Sequence, residues 1–418
     1  MDFKNHLSSY LAKSDIEQLC LSFDRPEQKG LILNLNKMSD EQFISLFPNV
    51  KKHPLVEHAY LYDQNEYEFG KMIFHDLGCY YIQDPSAALV SYFLSPKEGM
   101  QVLDMCAAPG GKTVQASFLM KGKGVLYSND LSHSRAQILL SNVERMGLGN
   151  VVISSLNLSK IDGLNNSFDA IILDAPCSGS GMFRKSQEMK DDWTYEKVIK
   201  CQSIQKELIL LAYSMLKKGG KLIYSTCSYS FEEDEEVVEY LLTNSNAKLI
   251  PLVDCSLFYH SLKMPETIHL FPSKFPGEGH FVALIQKPGE LLMGDKCEQE
   301  FHMQQKQASK GSSIIINNYT LPQKPIDILV KYAIRPGLFV NSVIGNKEII
   351  SHHYSHFVSA KESYSLNEYE LKRYIHGETL VSNDNKNYTT VSYLGNNVGA
   401  VNKVNNVLKN LYPKGLRR

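Results

Sequence analysis

Between Met100 and Thr226 short apolar runs alternate with stretches of helical periodicity. Strands are predicted at Met100 to Cys106, Gly124 to Asp130, Val151 to Leu156, Phe168 to Asp174 and Lys221 to Thr226, and helices at Gly111 to about Lys121, Ser134 to Met146 and Glu196 to Lys217. Strands that alternate with helices pair in parallel through crossover connections, which predicts a doubly wound α/β sheet. In such a sheet ligands lie beyond the carboxyl ends of the strands. The loops at the ends of these strands, at Cys106, Asp130, Leu156, Asp174 and Thr226, therefore carry the functional expectations. A late hairpin strand, Gly277 to Gln286, closes the sheet.

The flanking regions have a different texture. Residues 1–95 mix short amphipathic patterns with breakers such as Arg25-Pro26, Phe47-Pro48 and His53-Pro54, as a small separate α+β domain would. The sheet domain is expected over 96–290, a polar linker over 291–313, and a C-terminal module of short strands over 314–418. A chain of 418 residues has room for two or three such domains. No apolar run approaches the roughly 20 residues of a membrane span, and the opening Met1-Asp2-Phe3-Lys4-Asn5-His6 is not a secretory signal. A cytoplasmic protein without a membrane partner is expected. The eight cysteines are scattered with no C-x-x-C pair, which predicts neither a metal site nor a disulfide framework.

Formal net charge is -1, so the whole chain does not advertise a polyanionic partner. The tail after Asp384 does: Lys386, Lys403, Lys409, Lys414, Arg417 and Arg418 occur there without an acid, together with Tyr388, Tyr393 and Tyr412. Mixed basic and aromatic residues suit a phosphate backbone with stackable bases.

The segment "DMCAAPGGKT", Asp104 to Thr113, ends like the phosphate loop of an ATPase, and the apolar strand ending in Asp174 resembles a magnesium-binding strand. Against that reading, the phosphate-loop pattern needs glycine where Cys106 stands, and Pro109 has no N–H to offer a phosphate. Asp130 follows Gly111 by 19 residues, near the spacing at which an acid after a glycine-rich turn bonds ribose hydroxyls. Asn157 and Asp174 follow at the next two strand ends. A nucleoside lying across the strand ends would meet the turn, Asp130 and Asn157 in order.

Taken together, "DMCAAPGGKT", "DAPCSGSGMFRK" (Asp174 to Lys185) and "STCSYS" (Ser225 to Ser230) resemble the Nol/Nop/Sun family of RNA cytosine-5 methyltransferases. "YYIQDPSAALV" (Tyr80 to Val90) and "GEGHF" are similar to further family signatures, and "LKNLYPKGLR" (Leu408 to Arg417) resembles the ending of the RsmF-like small-subunit ribosomal RNA branch. The resemblance spans roughly residues 20–418. It implies a Rossmann-like core, an N-terminal RNA-binding α+β domain, a C-terminal PUA-like RNA-binding module, and S-adenosyl-L-methionine as methyl donor. It places Cys106, Ala107, Ala108, Pro109, Gly110, Gly111 and Lys112, with Asp130, Asn157 and Asp174, around that donor. Two departures are visible: Asn157 stands where the family usually has aspartate, and Gly30-Leu31-Ile32-Leu33-Asn34 lacks an arginine often found there.

Carbon 5 of cytosine is a poor nucleophile, and a thiolate added at carbon 6 turns it into an enamine-like carbon. Cysteine supplies such a thiolate. Cys177, after Pro176, and Cys227, after Thr226, both lie just past central strands and beside Asp174, so position leaves both open. The resemblance implies that Cys227 attacks and that Cys177 assists product release, with Asp174 on the cytosine ring nitrogen and amine and Lys112 near the base. Glu232-Glu233-Asp234-Glu235-Glu236 is expected to serve the positive end of a helix dipole rather than catalysis. Small-subunit ribosomal RNA, free or within the subunit or its precursor, is the substrate the ending suggests. Transfer RNA is the alternative substrate, and a non-catalytic RNA-binding assembly factor the alternative of another class.

Overall fold

The computed structural model describes residues 3–185, 187–253, 255–291, 300–308, 314–344 and 347–417. Its centre is a mixed sheet built from β1 (Gln101–Asp104), β2 (Val125–Asn129), β3 (Val151–Ser154), β4 (Phe168–Asp174), β5 (Leu216–Thr226), β6 (Lys248–Ile250), β7 (Ile268–Leu270) and β8 (His280–Gln286). The strand order is β6-β8-β5-β4-β1-β2-β3, with β7 also on β8. β3, β2, β1, β4 and β5 pair in parallel, while β8 lies antiparallel beside β5. The order reverses at β1, so the crevice beyond Asp104 is the switch point where a doubly wound sheet binds its ligand. Helices α1 (Gly111–Leu119), α2 (His133–Met146), α3 (Tyr195–Met215) and α4 (Glu235–Thr243) connect the strands.

The expected Rossmann-like arrangement is present, with shifted boundaries. β3 ends at Ser154, not Leu156, because the Asn129 side chain takes over the pairing: it accepts from Leu156 N at 2.9 Å and donates to Leu156 O at 3.0 Å. β5 begins at Leu216, directly after α3, because Leu216 pairs with Phe168 across a register shift before the regular ladder from Lys221.

The N-terminal region holds a four-stranded antiparallel sheet ordered 51–52, 59–62, 29–33 and 80–82. Its first two helices, Phe3–Leu7 and Lys13–Ser22, do not stay with that sheet. Phe3 packs edge-on to Phe183 and Trp193, with ring centroids 4.9 and 5.2 Å away, and Tyr10 Oη donates to Tyr229 O at 2.7 Å. Apolar aromatic faces on both sides bring this arm onto the loops beyond β4 and β5.

The expectation of a linker over 291–313 is corrected for its described part: strand Phe301–Ala308 pairs antiparallel with Ile314–Leu321 along its length, and Leu338–Ile344 and Lys347–Ile350 extend that sheet, while 292–299 and 309–313 lie outside the described residues. The half-buried Phe301 and Met303 flank the exposed His302, a short strand signal that the polar residues after it masked. This sheet is docked on the core by Arg335, which is buried and donates to Val151 O at 2.6 Å and Leu148 O at 2.8 Å. A second C-terminal sheet contains 364–365, 390–393, 396–404, 407–410 and 380–381, with helix Glu368–His376 beside it.

Part of the basic tail is structural. Lys403 Nζ donates to Asp384 O and Lys386 O at 2.6 and 2.7 Å, Tyr412 is buried, and Arg417 donates to Tyr412 O. Lys386, Lys409 and Lys414 stay exposed, and Arg418 lies outside the described residues. No helix among the described residues is long and apolar enough to cross a membrane.

Candidate active site

The turn after β1 leaves the sheet at Asp104 and enters α1 at Gly111. Gly110 has φ +119°, a conformation that favours glycine, and a Cβ on Gly111 would lie 1.8 Å from Gln83 Oε1. The two glycines let the start of α1 come close to the strand ends without a side chain in the way, and no side chain caps its first N–H groups. Arg135 and Asn142 of α2 hold the turn from outside, donating to Ala108 O at 2.6 Å and Pro109 O at 2.9 Å. Ala107 N donates to Asn129 O at 2.8 Å.

Three carboxylates surround this turn. Asp104 is fully buried; its Oδ2 accepts from Thr113 Oγ1 at 2.7 Å and its Oδ1 has no partner. Burial pushes its carboxyl up to about 7 against the opposing effect of Thr113 and Lys112. Asp130 is buried just beyond β2, where Oδ2 accepts from Ala108 N at 3.3 Å and Oδ1 from Ser132 N at 3.0 Å. Asp174 ends β4. Burial, with the nearby Asp104, Asp174 and Asp130 carboxylates, drives the Cys106 thiol far up, so Cys106 is a neutral thiol here. Arg135 lies 3.5 Å from Asp130 and Lys112 pairs with Asp174, so the crevice holds carboxylate acceptors beside their own cations. Such acceptors suit the hydroxyls and ammonium of a nucleoside donor, whereas a triphosphate calls for N–H donors. The ATPase reading has no support in this geometry.

Asn157 stands apart. It is exposed, three residues past the end of β3, and its amide oxygen accepts from Ser159 N and Oγ at 3.2 and 2.7 Å, capping a single 3-10 turn. Neighbourhood to the crevice is all that its position supplies.

The other four expected residues converge. Lys112 Nζ lies 2.7 Å from Asp174 Oδ2, and Ser225 Oγ donates to Asp174 Oδ1 at 2.7 Å. Burial disfavours both charges, yet the Lys112 ammonium and the Ser225 hydroxyl hold the Asp174 carboxyl below the usual carboxylate range, and Asp174 holds Lys112 above its ordinary value. Cys177 Sγ and Cys227 Sγ are 3.0 Å apart, on the loops after β4 and β5. The Cys227 sulfur beside it, then burial and the Glu233 and Asp174 carboxylates, push the Cys177 thiol well up. Cys177 is therefore held as a thiol whose S–H can reach the Cys227 sulfur.

The two loops approach closely because Gly181 has no side chain: a Cβ there would sit 2.5 Å from Gly279 O and 2.8 Å from Cys227 O. Gly181 N donates to Cys227 O at 2.8 Å in that gap. Several groups that shape the site carried no signal of their own in the sequence. His280 Nδ1 meets Ser86 Oγ at 2.9 Å, and burial with Lys112 nearby lowers its imidazole to about 4, so it is neutral. Arg184 and Glu278, both buried, pair at 2.8 Å and tie the "SGSGMFRK" loop to "GEGHF". Sequence proximity to the motifs was the available hint for these residues.

The acidic run is corrected in part. α4 starts at Glu235, so Glu235 and Glu236 are first-turn acids as expected, whereas Glu233 and Asp234 precede the helix. Both are buried and bonded to the cysteine loops: Ser228 Oγ donates to Glu233 Oε2 at 2.7 Å and Thr226 Oγ1 to Asp234 Oδ1 at 2.5 Å. Among the described residues, Asp234, Glu235 and His269 form a group whose ligand-type atoms lie within 4.8 Å of one another. His269 Nε2 meets Glu235 Oε1 at 2.9 Å, so this group is already joined by its own contact.

Comparison with known proteins agrees with this geometry. Residues 91–286 match the 16S rRNA methyltransferase RsmB/F family, residues 1–85 the N-terminal domain of 16S rRNA methyltransferase RsmF, and residues 361–418 the methyltransferase RsmF PUA domain. Ribosomal RNA small subunit methyltransferase F of Vibrio vulnificus is 32% identical over 326 residues, covering 75% of this chain and 68% of that protein. The protein of the same name from Shewanella piezotolerans is 28% identical over 457 residues, 99% of this chain and 95% of that protein. A solved methyltransferase homolog from Pyrococcus horikoshii superposes with a TM-score of 0.60 at 29% identity, over 68% of this chain and 93% of that one. The chain belongs to the RsmB/RsmF family of S-adenosylmethionine-dependent RNA methyltransferases.

Proposed function

We propose that this chain methylates carbon 5 of a cytosine in small-subunit ribosomal RNA, with Cys227 as nucleophile and Cys177 as its assistant. The observation that carries the proposal is the pair of thiols 3.0 Å apart beside the Lys112–Asp174 pair. The names of the relatives support ribosomal RNA as substrate, and the PUA match and the exposed lysines 386, 409 and 414 support RNA binding.

The Asp130 carboxylate offers an acceptor for the donor's hydroxyls, and the glycine turn leaves room for its close approach. When bound, S-adenosylmethionine supplies an electrophilic methyl group. The chain's own residues do the rest. Cys227, as thiolate hydrogen-bonded by the Cys177 thiol, forms a bond to carbon 6, and the ring electrons move to carbon 5. Asp174 accepts from the cytosine amine and, once the ring nitrogen of the adduct has taken a proton from water, from that N–H as well; Lys112 keeps the carboxylate ionised in a buried place.

Release requires loss of the carbon 5 proton and cleavage of the sulfur–carbon bond. Once Cys227 is bound to carbon, the neighbouring sulfur charge that held Cys177 protonated is gone. Cys177 then yields its proton to water, takes the proton from carbon 5, and Cys227 leaves as thiolate. The base must be out of any stack to reach Cys227, which costs about a few kcal/mol and is least for single-stranded RNA.

The test is methyl transfer from labelled donor to small-subunit RNA, free and assembled, followed by bisulfite sequencing of the product. Label at carbon 5 of one or a few cytosines is expected. Label on transfer RNA alone, or on a nitrogen, would refute the substrate or the chemistry.

A further inference from the structure

Glu233 is fully buried near the far end of the Cys227 loop, which runs from the end of β5 at Thr226 to the start of α4 at Glu235, and it faces the Cys177 loop. Its carboxylate meets four donors: Ser178 N at 2.8 Å and Gln205 Nε2 at 3.0 Å on Oε1, and Ser178 Oγ at 2.5 Å and Ser228 Oγ at 2.7 Å on Oε2. The backbone N–H and the amide can only donate. Ser228 Oγ already accepts from Ser230 N at 3.0 Å, so its own proton is free for Glu233. Donors on every side fit an anion, and bonds to a charged acceptor are the strong ones.

The sequence position of these donors matters. Ser178 follows Cys177 and Ser228 follows Cys227, so one carboxylate grips each loop at the residue after its thiol. Gln205 extends the grip, donating also to Pro176 O at 2.9 Å, on the other side of Cys177. We propose that Glu233 is a positioning residue that fastens both cysteine loops at once and so holds the two thiols side by side. The inference rests on the assignment of these two thiols as the reacting pair.

Other ionisable groups surround the pair. Lys112 of α1 interacts with Cys227, whereas Asp174 and Glu233 both oppose ionisation of Cys177. Tyr224 of β5, Cys201 of α3, and Tyr229 and Asp234 beyond Cys227 interact with one or other thiol as well. Asp234 meets Thr226 and Asp174 meets Ser225, both on the β5 side, whereas the Glu233 carboxylate bonds both cysteine loops.

The test is site-resolved alkylation of the full chain by iodoacetamide at pH 8, read by mass spectrometry, for wild type, Glu233→Gln and Glu233→Ala. Glutamine retains a carbonyl acceptor and nearly the same shape, and serine hydroxyls can turn to accept from its amide, so the loops stay held while the charge is gone. Glu233→Gln should label both cysteines within about twofold of wild type. Glu233→Ala should label faster at both cysteines, and its methyl transfer should fall by about tenfold or more, a loss that Glu233→Gln restores. Wild-type labelling and methyl transfer in Glu233→Ala overturn the proposal, as does a Glu233→Gln enzyme that behaves as Glu233→Ala does. Neither labelling measurement involves RNA or methyl donor, so these outcomes are separate from failure of the methyl-transfer proposal.

Discussion

Lys112 Nζ lies 2.7 Å from Asp174 Oδ2, joining the first turn of α1 to the end of β4 across the switch point of the sheet. The pair sets the charge at the place where the cytosine would bind. Asp174→Asn keeps the size of the side chain, turns one acceptor oxygen into a donor and removes the charge, and it leaves a buried ammonium without its carboxylate. Methyl transfer should fall by about 100-fold or more, the scale of losing one electrostatic contact to a transition state. The Asp174 carboxyl is held low and the Lys112 ammonium high. The first contributes stability above the unfolded carboxyl pKa and the second below the unfolded lysine pKa, so the pair persists from about pH 4 to about pH 10. Rate profiles should thus show no titration of this pair between pH 6 and 9; an Asp174→Asn enzyme retaining a third of wild-type rate would refute its role.

Asp104 makes a prediction of the opposite sign. Its carboxyl, raised to about 7 by burial, favours the protonated form in the folded chain. The stability it contributes is fully present below the unfolded pKa near 4 and is lost as pH rises through about 7, by up to about 4 kcal/mol. Asp104→Asn should remove this limb. Urea midpoints at pH 5 and pH 8 should differ less in the variant than in wild type; equal differences would show that Asp104 is ionised without penalty.

Much of this was legible because strand ends are where side-chain chemistry and sheet topology coincide. The apolar runs ending at Asp104, Asn129 and Asp174 gave the parallel core, and Pro176-Cys177 and Thr226-Cys227 gave the thiols. Pairings across hundreds of residues were not legible. Arg335 holding Leu148 and Val151, Tyr10 on Tyr229, and Glu278 on Arg184 depend on which surfaces meet, and no local period encodes that. The role of Glu233 is hidden because an acidic run before an apolar helix carries the same local signal whether it caps that helix or reaches backward to Ser178 and Ser228.

Asp130→Ala should weaken methyl-donor binding more than RNA binding. The Asp130 carboxylate already holds Ala108 N and Ser132 N and is placed to meet ribose hydroxyls. Hydrogen bonds to a charged group contribute roughly 1.5 to 3 kcal/mol, or about 10- to 150-fold in affinity. Calorimetry with S-adenosylmethionine checks it, and undiminished affinity would remove Asp130 from the donor site.

Lys386, Lys409 and Lys414 are the exposed lysines of the basic tail, whereas Lys403 is used internally. Changing those three to alanine should lower RNA affinity and leave donor binding intact. The slope of log affinity against log salt should become shallower by about 0.7 to 0.9 for each phosphate no longer neutralised. An unchanged salt slope would place the RNA on another surface.

The sulfurs of Cys177 and Cys227 carry the central claim, and trapping the covalent RNA complex tests it most directly. With methyl donor and RNA present, Cys227→Ala should give neither adduct nor product. Cys177→Ala should attack, methylate and stall, so that a protein–RNA adduct surviving denaturing electrophoresis accumulates. An adduct formed by Cys227→Ala and absent from Cys177→Ala would reverse the two roles and contradict this account.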